Sequence, residues 1–188
     1  MRDDFVARIQ NSPVVAAIND TNQLGEAIEA PPEIIFLLRG SIFELKDTVR
    51  RIHAAGKQVF VHFDLMEGYS RDMTALRHLQ QTVGPDGVIT TKGSLIKSAR
   101  ELGMNSIQRV FMIDSLSVES AIKSITATRP DAIELMPGLV PRVIAQVGRE
   151  TRIPVIAGGL IESKEEIIAT LKAGAVGIST SKADLWYM

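Results

Sequence analysis

Short runs rich in Val and Ile recur along the chain, each separated from the next by a longer stretch whose apolar residues repeat with a helical period. This β–α alternation constrains the fold more than any other feature. The strand-like runs are 13–19, 34–40, 58–65, 87–91, 107–114, 132–136, 153–159 and 175–179. Near-continuous apolarity, as in Ile34-Ile35-Phe36-Leu37-Leu38 and Val155-Ile156-Ala157, predicts strands covered on both faces, as parallel strands under helices are. Helices are predicted over 24–29, 44–55, 73–83, 94–102, 118–128, 140–150 and 164–173. Gly56, Gly84, Gly103 and Gly174 stand where a left-handed residue would close four of them, and Ser163 before Lys164-Glu165-Glu166 suits an N-cap.

Eight strands with seven intervening helices admit a closed barrel or an open doubly wound sheet. The exit of the first strand reads Ile18-Asn19-Asp20-Thr21, without the Gly-x-Gly-x-x-Gly of dinucleotide-binding open sheets. The fold class expected is therefore α/β, a compact (β/α)8 TIM-type barrel. Its 188 residues fall short of the ~250 usual for that fold, so loops are short and the last helix is reduced to 182–188. The longest loop, 67–72, is too small for a substrate-covering lid. With 45% apolar and 23% charged residues the chain can build one sizeable core, giving a single domain over 1–188.

Twenty-one Lys and Arg against 22 Asp and Glu give no bulk attraction to nucleic acid, anionic membrane or acidic substrates. The absence of cysteine removes disulfides, thiolate zinc sites, iron–sulfur clusters and Cys nucleophiles. No apolar run approaches the ~20 residues of a membrane span, and Met1 to Phe5 lacks a basic leader, so a cytoplasmic, unexported protein is expected.

The strongest chemical signal lies at the ends of the last two strands, Ile156-Ala157-Gly158-Gly159-Leu160 and Gly177-Ile178-Ser179-Thr180-Ser181. In barrels these loops commonly hold a phosphate. Gly158 and Gly159 would let backbone N–H groups approach an anion, Ser179, Thr180 and Ser181 would supply hydroxyls, and Ser181 could cap the final helix. A tight turn followed by a capped helix is the plainer alternative. A second group is formed by His62 and Asp64, two residues apart and so on one face near the C-terminal end of the third strand. They could act as base and orienter, hold ligand hydroxyls, bind a hard cation together with Glu134, or simply fill the barrel mouth as a polar network. Asp114 at the exit of strand five and Glu134 on strand six join this group, because carboxylates on apolar strands need partners. Lys92 is a candidate Schiff-base amine or anion-binding charge, or an ordinary solvated lysine. Arg109 would suit a phosphate or carboxylate if the strand register turns it into the barrel. Arg39 is similar. No recognition helix, zinc finger or aromatic RNA motif is present, and Arg50, Arg51, His53 and Lys57 read as a solvated face.

Five strings occur in one order: 61–68 (VHFDLMEG), 107–114 (IQRVFMID), 133–138 (IELMPG), 156–161 (IAGGLI), and Thr180-Ser181 through Leu185-Trp186. Together they resemble the glycerol uptake operon antiterminator regulatory protein family of bacteria, across residues 13–186. The resemblance implies a barrel that senses glycerol 3-phosphate and acts on leader mRNA to prevent premature termination. No cofactor, no metal ligand set and no membrane partner are assigned from the sequence. A homo-oligomer is compatible with it. The phosphate would rest on Gly158, Gly159, Ser179, Thr180 and Ser181, with the polyol read at the rim by His62, Asp64, Lys92, Arg109, Asp114 or Glu134. The RNA role rests on the resemblance alone. The competing expectation is a phosphosugar isomerase or aldolase using Lys92, Asp64, Asp114 or Glu134, and a third is a purely structural interaction protein.

Overall fold

The computed structural model describes residues 2–188. Its strands are β1 (Val14–Ile18), β2 (Ile34–Leu37), β3 (Gly40–Ser41), β4 (Gln58–His62), β5 (Met66–Glu67), β6 (Gly87–Thr90), β7 (Asn105–Phe111), β8 (Ala132–Met136), β9 (Val155–Gly158) and β10 (Gly177–Thr180). The helices are α1 (Arg2–Asn11), α2 (Leu24–Glu29), α3 (Leu45–Ala54), α4 (Met73–His78), α5 (Gly93–Glu101), α6 (Ser115–Thr128), α7 (Pro141–Thr151) and α8 (Lys164–Lys172). Eight strands close in the order β1-β10-β9-β8-β7-β6-β4-β2, all parallel, which is the (β/α)8 barrel.

Apolar residues on both faces of the strands explain the closure. One set packs inside the barrel, including Val15, Phe36, Phe60, Ile89, Ile107, Ala132 and Ile156. The alternate positions pack outward under the helices in two clusters, one around β1, β2, β4 and β6, the other around β7 to β10. Each large side chain so buried contributes roughly 1.5–3 kcal/mol. Glycines make room for the interior rings: a Cβ on Gly87 would lie 2.5 Å from Phe60 Cε1. The N-terminal end of the barrel is closed by α1, whose Phe5 ring sits 5.0 Å from that of Phe60 and whose Ile9 packs against Gly177.

The sequence reading assigned no helix before β1, because α1 is largely polar and, among its described side chains, Phe5 and Ile9 are the ones fully buried. The four predicted closing glycines all have positive φ, at 75°, 69°, 71° and 103°. Ser163 does cap α8, in a capping box with Glu166. Several boundaries differ. β2, expected over 34–40, ends at Leu37, and β4, expected over 58–65, ends at His62, so Asp64 lies in the 3-10 turn Phe63–Leu65 and not on the strand with His62. The predicted helix over 73–83 changes after His78 into a π-helical turn, Leu79–Val83. β7 begins at Asn105 and stops at Phe111, while α6 starts at Ser115, because Asp114 and Ser117 form a capping box there. The two-residue strands β3 and β5 pair over the rim and give the 67–72 loop a fixed path. The final segment is a 3-10 helix, Ala183–Tyr187, whose N-cap is Lys182 and not Ser181.

Candidate functional site

The parallel register Arg109↔Glu134 between β7 and β8 turns both side chains into the barrel. Arg109 Nε donates to Glu134 Oε2 at 2.6 Å, and Ser179 Oγ donates to Glu134 Oε1 at 2.7 Å. The side chains are 8% and 1% exposed, so the pair is desolvated and depends on this geometry. Gly158 makes the arrangement fit: a Cβ there would lie 2.3 Å from Ser179 Oγ and 3.1 Å from Glu134 Oε1. Gly158 is thus a packing residue beneath the mouth and does not line either rim cavity described below.

Above this network, at the ends of β9, β10 and β1, lies a cavity of about 280 Å³. Gly159, Leu160, Ser179, Thr180, Ser181 and Lys182 form one wall, and Arg109, Glu134, Met136 and Asn19 face them. The volume lies at the lower edge of the ~300–1,000 Å³ typical of drug-sized ligands and suits a small metabolite. The chain turns sharply here, with φ of +73° at Gly159 and +60° at Leu160. A left-handed leucine costs roughly 1–2 kcal/mol, a strain that clusters at ligand sites. Thr180 Oγ1 accepts the Lys182 N–H at 3.2 Å and the Thr180 carbonyl accepts Trp186 Nε1–H at 2.9 Å, fixing the exit of β10. Lys182 Nζ stands 3.5 Å from Glu162 Oε2 in a half-exposed pair.

A second cavity, also about 280 Å³, opens on the opposite side of the mouth and shares Arg109 with the first. His62, Asp64, Arg71, Thr91 and Lys92 line it. Asp64 accepts Thr90 Oγ1–H at 2.7 Å, Thr91 N–H at 2.7 Å and Thr91 Oγ1–H at 2.8 Å. Burial alone would raise its pKa, but these bonds outweigh burial and hold the carboxyl below its usual value. Its carboxylate is occupied in tying the 3-10 turn after β4, Phe63–Leu65, to the end of β6. His62 is 3% exposed, and its Nδ1 has no hydrogen-bond partner among the described residues. Burial, reinforced by the Arg109 charge, lowers its pKa to about 4, so the ring is neutral at physiological pH.

Of the candidates named from sequence, Gly159, Ser179, Thr180, Ser181, Arg109 and Glu134 meet in the first cavity, and His62, Asp64, Lys92 and Arg109 in the second. Asp114 joins neither. It lies three residues past β7, caps α6 by accepting Ser117 N–H at 2.8 Å, and lines a separate groove between α6 and α7. Arg39 lines neither cavity. The sequence reading missed Asn19, Arg71 and Lys182. Lys182 directly follows the Ser-Thr-Ser run, a readable signal, whereas Arg71 is placed by two hydrogen bonds to the Asp64 carbonyl, at 3.1 and 2.8 Å, which no local pattern announces. Among the described residues no group of three or more His, Asp or Glu is placed to hold a metal ion. No described helix is long and apolar enough to cross a membrane.

The chain matches the family described as glycerol-3-phosphate responsive antiterminator over residues 14–186. A crystal structure of a glycerol uptake operon antiterminator regulatory protein from Listeria monocytogenes is similar at 35% identity and a TM-score of 0.90, over 94% of this chain and 95% of that one. A glycerol uptake operon antiterminator-related protein from Thermotoga maritima is similar at 34% identity and a TM-score of 0.85, over 94% of this chain and 99% of that one. The uncharacterized protein YgcP of Escherichia coli is 36% identical over 178 residues, covering 95% of this chain and 93% of that protein. A remoter likeness, to deoxyribose phosphate aldolase from Aeropyrum pernix at 15% identity and a TM-score of 0.69, shows the barrel fold alone. With the family match running from the start of β1 to the closing 3-10 helix, this chain is a member of the glycerol-3-phosphate responsive antiterminator family.

Proposed function

We propose that this protein is a non-enzymatic regulator that binds glycerol 3-phosphate in the cavity at the ends of β9 and β10 and, in response, acts on leader mRNA as a transcription antiterminator of glycerol utilisation genes. The observation that carries the ligand site is the convergence of Gly159, Ser181 and Lys182 on one small rim cavity whose floor is the Arg109–Glu134 pair. Main-chain and hydroxyl donors there suit a phosphate. Lys182 would exchange its exposed partner Glu162 for the ligand's dianion. The glycerol hydroxyls would meet Asn19, Glu134 and Arg109, which face the cradle across the cavity.

The RNA arm is carried by the family likeness, since net charge is −1 and no RNA-binding motif is present. Ligand binding would bias a second surface toward RNA, a coupling between two sites. The test is thermal-shift titration with glycerol 3-phosphate on the wild type, Gly159→Ala and Gly159→Asp. Both substitutions put a Cβ 2.7 Å from Met136 Cε, so they share that steric strain. Only the aspartate adds negative charge to the cradle. The account expects Gly159→Ala to keep a ligand-induced shift and Gly159→Asp to lose it. Equal shifts in the two variants would remove the phosphate from this cavity.

A further inference from the structure

The second rim cavity carries features that the first does not explain. In strand order β4 and β6 lie opposite β9 and β10, so this cavity faces the one lined by Gly159 across the barrel mouth. Its wall includes Lys92, the N-cap of the nine-residue helix α5, and no side chain caps that helix. The Leu95 and Ile96 N–H groups bond the Lys92 carbonyl, which leaves those of Gly93 and Ser94 without a side-chain cap, at the positive end of the helix dipole. Three cations, Arg71, Lys92 and Arg109, line the same space. The one carboxylate present, Asp64, is engaged by three hydrogen bonds from Thr90 and Thr91. The Arg71 guanidinium is held at the rim by the Asp64 carbonyl.

The independent observation is His62. The residue is 3% exposed, its Nδ1 has no hydrogen-bond partner among the described residues, and it lines the cavity. An unpaired buried polar atom costs roughly 1–3 kcal/mol, and native proteins keep one where a partner arrives from outside. In the tautomer that carries its proton on Nδ1, the neutral imidazole would add a donor beside the Arg71 guanidinium, Lys92 and the uncapped helix, while the acceptor present, Asp64, is already engaged.

We propose that this cavity is a second oxyanion site, which takes a phosphate or carboxylate group on the α5 N-terminus, Lys92, Arg71 and His62 Nδ1. The oxyanion arrives either as the second charged end of a ligand already seated in the cradle, or as a free ion. Arg109 lines both cavities, so occupancy of one alters the field in the other.

The test reads the His62 imidazole resonances by NMR while inorganic phosphate is titrated into the full chain, with the exposed His53 and His78 as internal references. The wild type and Gly159→Asp should both show a saturable shift of His62. Arg71→Gln with Lys92→Gln should weaken that response, by roughly tenfold for each cation removed. A second titration uses 3-phosphoglycerate, a phosphate and a carboxylate on three carbons. If one molecule bridges the two cavities, His62 responds in the wild type at lower concentration than to phosphate, and Gly159→Asp abolishes that advantage. If free ions are the source, 3-phosphoglycerate and phosphate behave alike in both proteins. A His62 ring indifferent to either compound, or a response unchanged by the double substitution, overturns the proposal, whatever happens at the cradle. Loss of glycerol 3-phosphate binding with an intact His62 response removes the cradle reading instead and leaves this site standing.

Discussion

Replacing Glu134 by Gln keeps its volume and an acceptor for Ser179 Oγ–H, but leaves the Arg109 guanidinium, 8% exposed, without its counter-charge. Breaking a buried pair by neutralising one member costs roughly 3–5 kcal/mol, because an uncompensated charge stays out of water. For a chain of this length each kcal/mol lowers Tm by roughly 2–4 °C, so a loss of about 6–20 °C is expected. Arg109→Met, which strips Glu134 of its cation and leaves only Ser179, should cost a similar amount. The double variant should recover much of the loss, since an apolar side chain beside a neutral amide carries no buried charge. Urea unfolding of the four proteins closes the cycle, with a predicted coupling of at least ~2 kcal/mol. Single costs below ~1 kcal/mol, or strict additivity, would mean that water entering the two cavities already solvates the pair. The barrel mouth would then lack the dry polar floor on which the ligand reading rests.

Four further outcomes follow from the geometry. His62 is neutral when folded, with a pKa of about 4 against 6.5 for the unfolded chain; its stabilising contribution is therefore complete above pH 6.5 and is lost as pH falls from 6.5 to 4. The loss should reach about 3 kcal/mol, and His62→Gln should flatten the stability curve over that window relative to the wild type. Gly158→Ala would drive a methyl into Ser179 Oγ and Glu134 Oε1, costing roughly 1–3 kcal/mol in urea unfolding even without ligand; a neutral result would contradict its packing role. Glu162→Gln should raise affinity for glycerol 3-phosphate about two- to fivefold by freeing Lys182, and Lys182→Ala should lower it, as read by calorimetry. If the protein contacts leader RNA through phosphates, the logarithm of its affinity should fall linearly with the logarithm of salt, and a salt-independent affinity would exclude that mode.

The barrel is legible in the sequence because strands buried on both faces must be apolar at nearly every position, and β2 and β4 announce themselves that way. The first rim cavity is legible for a related reason: Gly159 is required where the chain turns at φ +73° beside Met136, and hydroxyl residues follow at the neighbouring strand end. What could not be read is set by tertiary register. Arg109 points inward because β7 pairs with β8 at Glu134, and nothing within 107–111 decides that. Arg71 reaches its cavity because β3 and β5, two residues each, pin the loop, and strands that short carry no period. Asp114 looked like a rim carboxylate because its neighbours are apolar, yet Ser117, three residues on, makes it a helix cap. The α1 plug escaped notice because its buried stripe is narrow and the rest of the helix is polar.

The most direct measurement is isothermal titration calorimetry of the full chain with glycerol 3-phosphate and, separately, with glycerol. The account predicts saturable binding of the phosphorylated compound, weakened by Lys182→Ala, and no detectable heat from glycerol at the same concentrations. Equal affinity for the two compounds, or phosphate-ester binding indifferent to both Lys182→Ala and Gly159→Asp, would contradict it.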